Sequence, residues 1–183
     1  MPGIETGGHP AWSGARPLVR GHASTDDPEK QLGKDVVDPT VASRIACRNH
    51  RGQRTRFGDA VCEHIRRVAA AVPPEAKAIA WLHDLLELTT VGGAELRARG
   101  LTTVEASALA LLTRRRDEPY DAYVLRIAHA PGRSGSIARL VKLADLDDHL
   151  AHAQIPRGAP PYAWARRCVL ERMNGTPSTT VAG

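Results

Sequence analysis

The stretch AIAWLHDLLEL, residues 78–88, decides the fold and the chemistry together. Eight of its eleven residues are apolar, and at helical spacing they surround the axis on every side. A helix that is apolar all round is buried in a core. His83, Asp84 and Glu87 break the pattern. Asp and Glu are almost never fully buried unless paired. Left unpaired in the interior, each costs several kcal/mol of desolvation. A metal ion is an efficient compensator. Glu87 lies four residues after His83 and three after Asp84, so all three project from one region of the helix surface. The competing explanation is a buried His–Asp pair bonded to backbone or arginine.

Two further segments repeat the anomaly. A helix over about 59–72 has an apolar stripe of Ala60, Val61, Val68, Ala71 and Val72, and His64 sits in that stripe. A helix over about 136–152 turns Ile137, Val141 and Ala144 inward, and Asp145 falls on the same line, four residues after Val141. A single such residue is ordinarily a satisfied core hydrogen-bonder. Three anomalies on three helices offer two imidazoles and two carboxylates, a set suited to Mn, Fe, Co or Zn.

Around these segments the chain reads as helices and breaks. Asp38-Pro39 gives an N-cap and a proline at the first helical position, opening a helix to about residue 48. The loop NHRGQRTRFG follows at 49–58, and Pro73-Pro74 separates the His64 helix from a helix running to about 88. TTVGG breaks that helix, and a short one follows at about 94–98. Thr102 and Glu105 form a capping-box pattern ahead of a helix to about 113. Further helices are predicted at about 120–129 and 161–173. Strand signals are missing. The expectation is a single all-α bundle over 38–174, with a disordered tail at 1–37 and a frayed one at 175–183.

The 183 residues are 42% apolar and 25% charged, an ordinary globular mixture that excludes collagen-like and wholly disordered chains. Aromatics are only 4%, too few for a platform that stacks several bases. No apolar run approaches a membrane span, and the first residues show no secretory signal. Cys47, Cys62 and Cys168 are an odd count without a CxxC pair, so a disulfide framework is not expected and a cytoplasmic location is. All three read as small buried hydrophobes. The net charge of +5 is concentrated: residues 39–72 hold seven arginines against Asp59 and Glu63. Such a patch suits a small nucleotide or a nucleic acid, or is simply a solvated basic face.

The order His64, His83-Asp84, Asp145 resembles the H…HD…D signature of HD-domain metal-dependent phosphohydrolases. NHRGQRTRFGDAVCEHIRRVA, WLHDLLELT and VKLADLDDHL are similar, in order, to the H-x-G-Q-x-R…H-P-x-x-V-A, LLHDVIEDT and KLADRLHN segments of Rel/Spo-type alarmone hydrolases. The similarity covers about residues 40–152. It implies His64, His83, Asp84 and Asp145 as metal ligands, with manganese ahead of Fe, Co or Zn. It implies Arg54 and Arg56 as nucleotide contacts and Glu87 as the group that orients the attacking water. Arg51 joins the arginines because all three precede the His64 helix closely. Two positions depart from the pattern. Leu88 replaces an acid, and His149 replaces an asparagine at the substrate rim, so His149 is expected to touch the substrate.

The activity so implied is a metal-dependent phosphohydrolase acting on a nucleotide or related phosphate ester, with removal of the 3′-pyrophosphate of (p)ppGpp as the sharpest version. The alternative is a degenerate HD domain that binds nucleotide without hydrolysing it. A third reading, a nucleic-acid-binding helical module, explains the arginines but not the His/Asp set. Neither a membrane nor a nucleic acid is the expected partner, and nothing in the sequence fixes an oligomeric state. Asp148 reads equally as an outer carboxylate or an exposed one. Arg114–Arg116 and His50, His129 and His152 read as surface residues, and Tyr120, Tyr123, Tyr162 and Trp164 as packing for the later helices.

Overall fold

Asp38 caps the first helix as the sequence leads one to expect: its carboxylate accepts from the Thr40 N–H at 2.7 Å, with Pro39 at the first helical position. In the computed structural model, which describes residues 37–152 and 161–175, this helix is α1, Pro39–Asn49. The arginine loop turns back on two left-handed glycines, Gly52 and Gly58. It makes one isolated bridge, Arg54 to Ala60. Helix α2 is Val61–Ala71. A 3-10 turn at Pro74–Ala76 leads into α3, Lys77–Leu82, and α4 is Leu85–Leu88. Then come α5, Gly93–Ala98; α6, Thr103–Leu112; α7, Tyr120–His129; α8, Gly132–His152; and α9, Tyr162–Met173. Among the described residues there is no strand, and the fold is all-α.

The long helix α8 organises the bundle. It packs against α9, α6, α2 and α7, while α3 is held between α1 and α2. At 1.5 Å per residue its 21 residues span about 30 Å. Val68, Ile79, Leu82, Leu85, Val141 and Leu146 form the buried contact between these elements. Gly135 lets the first turn of α8 approach the Ala130 carbonyl, where a Cβ would collide. The capping box of α6 is complete, and its Glu105 also accepts from the Val37 N–H at 3.1 Å across 68 residues.

Several expectations are corrected. The helix read as continuous to Leu88 breaks at His83-Asp84. The His83 imidazole donates to the Ala80 carbonyl at 2.8 Å, the acceptor that the Asp84 N–H would use in an unbroken helix. Nor is this stretch buried throughout: Leu88 is 47% exposed and Glu87 is also exposed. Cys47 and Cys62 form a disulfide, with Cα atoms 5.3 Å apart. The turn brings the end of α1 onto the start of α2, a proximity that Cys spacing does not reveal. The bridge also removes the cysteine argument for a cytoplasmic location. Cys168 is the buried free cysteine. His50 is buried, with Nδ1 2.8 Å from the Gln53 side-chain oxygen, because the loop folds over it. Val37, the last residue of the expected tail, is buried. The rest of the two expected tails, residues 1–36 and 176–183, lies outside the described residues.

Candidate metal centre

Helix α2 carries His64, the α3–α4 break carries His83 and Asp84, and α8 carries Asp145, Asp148 and His149. The four expected ligands come together. His64 Nε2 lies 3.3 Å from Asp145 Oδ1 and 4.0 Å from Asp84 Oδ2. His83 Nε2 lies 3.4 Å from Asp84 Oδ1 and 3.9 Å from Asp145 Oδ1. Two overlapping trios, His64–His83–Asp84 and His64–Asp145–His149, each keep their ligand atoms within 4.8 Å of one another. The break at His83-Asp84 puts both side chains at the end of a helical turn rather than along a continuous face.

The hydrogen bonds fix which nitrogen faces the centre. His64 Nδ1 meets Asp148 Oδ2 at 2.8 Å, and an acceptor-only carboxylate requires that Nδ1 carry the proton. His83 Nδ1 likewise faces a carbonyl. In the neutral rings, both Nε2 lone pairs therefore point toward carboxylate oxygens. His83 is only 5% exposed, and its Nε2 finds no hydrogen-bond partner among the described residues. Lone pairs set against anionic oxygens repel unless a positive charge lies between them. A proton supplies one such charge. Burial lowers the His64 pKa, but the Asp145 and Asp148 carboxylates outweigh it and raise it to about 9. A divalent cation supplies more charge, and the imidazole–carboxylate donor set fits one.

Asp145 is held from both sides. Its Oδ2 accepts from the buried Lys142 ammonium at 2.8 Å, leaving Oδ1 for the imidazoles. Burial pushes the Asp145 carboxyl up, yet Lys142, His149 and His64 hold it well below the usual range. Desolvation likewise disfavours the Lys142 charge, but Asp145 and the Tyr123 and Tyr120 rings keep its pKa well above the ordinary value. Asp148 is in turn held by Arg67, at 2.6 and 3.0 Å, and Arg67 reaches Asp59 at 3.2 Å.

A cavity of about 340 Å³ opens above the cluster. Arg54, Arg56 and Arg114 line it, with Glu87, Leu88 and His149. Arg51 is exposed and does not line it. Arg54 donates to the Gly58 carbonyl at 2.6 Å, and Glu87 accepts from the Arg114 N–H at 3.2 Å. His149 sits beside the candidate ligands, not only at the rim: its Nε2 is 3.1 Å from Asp145 Oδ1. The reading of the sequence missed Lys142 and Arg67 and gave Arg114 to the surface. Lys142 was detectable as a cation three residues before a buried acid. The Arg67 contact depends on tertiary approach and has no local signal.

Fold and donor set together define an all-α bundle with an imidazole–carboxylate cluster between three of its segments. Among solved structures, the chain is similar to that of a metazoan ortholog of SpoT, described as hydrolysing ppGpp and playing a role in starvation responses. The two are 20% identical with a TM-score of 0.59, over 76% of this chain and 87% of that one. This likeness establishes the shared fold. No family model matches the sequence, and no curated protein matches it.

Proposed function

We propose that this protein is a metal-dependent phosphohydrolase acting on a nucleotide or related phosphate ester, with the 3′-pyrophosphate of a (p)ppGpp-like molecule as the leading substrate. The observation that carries this reading is the convergence of His64, His83, Asp84 and Asp145 at the floor of a cavity lined by Arg54, Arg56 and Arg114. A divalent cation on the four ligands supplies Lewis acidity and charge against a phosphoryl group. Arg54, Arg56 and Arg114 pair with phosphate oxygens and neutralise them. Glu87, exposed to the cavity, accepts a proton from water as its oxygen bonds to phosphorus. The phosphorus–ester oxygen bond breaks, and the freed alcohol takes up a proton from solvent.

Binding without hydrolysis is the second reading. Leu88 favours it, because an apolar side chain lines the cavity where the similar hydrolases have an acid. Purified protein, supplied in turn with Mn, Co and Zn, is incubated with ppGpp and a panel of nucleotides. Release of pyrophosphate or phosphate is the expected result. Saturable nucleotide binding with no release under any metal makes the second reading correct. Among the described residues no helix is long and apolar enough to cross a membrane.

A further inference from the structure

The position of His149 has no role among the four ligands, yet its ring is set with their precision. It lies one helical turn after Asp145 on α8, so both side chains leave the helix toward the same side. Its Nε2 is 3.1 Å from Asp145 Oδ1, the oxygen that His64 and His83 also face. Three imidazole nitrogens from three segments thus surround one carboxylate oxygen. The ring does not owe this orientation to that contact alone. It is stacked between His64, at 4.8 Å and 14° between planes, and Tyr162, at 4.9 Å and 17°. Phe57 meets it edge-on at 5.6 Å. A side chain meant only to brush a passing substrate needs no such packing on both faces.

We propose that His149 is a further ligand of the same ion, making a centre of three imidazoles and two carboxylates. This rests on the metal reading given above. The consequence concerns which ion the protein prefers. Imidazole suits zinc, iron, nickel and copper, whereas carboxylate and water suit manganese and magnesium. A third imidazole therefore moves the site away from manganese and toward zinc or iron. Tyr162, on α9, acts as the positioning residue that keeps the His149 ring parallel to His64.

The test reads coordination directly, apart from activity. X-ray absorption on the zinc-loaded wild-type protein counts imidazoles from their multiple scattering, and three are expected. His149→Phe keeps a ring between His64 and Tyr162 but removes the donor, and His149→Ala removes both. In each variant the imidazole count should fall to two. Zinc affinity, measured by competition with a chromophoric chelator, should fall by at least about tenfold, the lower end of what losing even an outer partner of a metal site costs. Manganese affinity should fall by a smaller factor. The cobalt(II) d–d absorption should also change shape. Two imidazoles in the wild type overturn the proposal while leaving the metal reading intact, and His149 then only bonds Asp145. A wild-type protein that binds no divalent ion overturns the metal reading itself. The wild-type measurement decides the matter even if a variant does not fold.

Discussion

Glu87 differs from the other acids of the site in being exposed, with its carboxylate fixed by the Arg114 N–H. Glutamine keeps a carbonyl acceptor for that bond but cannot take a proton. Glu87→Gln should therefore retain metal and lose turnover by about 10²–10⁴-fold, the usual contribution of a general base. Titration of bound metal beside a steady-state assay checks both halves. Asp148 acts one step further out: it holds the His64 proton on Nδ1 and thereby aims Nε2 inward. Asp148→Ala should weaken metal binding by about 10–100-fold, and turnover should recover at saturating metal. Turnover that stays low at saturation would show that Asp148 does more than aim its histidine. The candidate ligands were legible because a charged or imidazole side chain in an apolar stripe is conspicuous. Their partners were not. Arg67 looks like an ordinary helix-surface residue until the tertiary fold brings it to Asp148, and His149 reveals its orientation only through its packing between His64 and Tyr162.

At the scale of elements, the junction between α6 and α7 is built on one ion pair. Arg126 donates to Glu118 at 2.6 and 2.7 Å and to the Leu111 and Thr113 carbonyls at 3.1 and 3.2 Å, closing the end of α6. The Arg126 guanidinium lowers the Glu118 carboxyl to about 2 from an ordinary 4.5. The folded state thus favours the deprotonated form. This contribution is complete above about 4.5 and disappears as pH falls through about 2. Urea unfolding of wild type and Glu118→Gln should differ most above pH 4.5 and converge toward pH 2. A gap that stays constant across that range removes the ion pair as its cause. Caps made two helix starts readable: Asp38 and the Thr102–Glu105 box mark them by local chemistry alone. The break at His83-Asp84 was not readable, since hydrophobic period says nothing about a side chain that takes a backbone carbonyl.

Over the whole molecule, the candidate ligands span residues 64 to 149 and come from α2, the α3–α4 break and α8. An ion that binds only when these are assembled stabilises the fold by mass action, about 2.7 kcal/mol at a hundredfold excess over Kd. In a domain of this size that is roughly 5–10 °C in Tm. Chelation should lower Tm by about this much, read by calorimetry with and without EDTA. An unchanged Tm means the cluster is held by its own protons and ion pairs. The covalent tie between α1 and α2 has a consequence of a different kind. Arg48, Arg51, Arg54 and Arg56 all lie between the bonded cysteines. Trypsin applied to the unfolded, unreduced protein therefore excises the loop that faces the cavity in small pieces, leaving IACR joined to FGDAVCEHIR as one cross-linked species. Its mass is that of the two peptides less two hydrogens, and a reductant splits it. Two separate peptides before reduction would mean that the thiols are free.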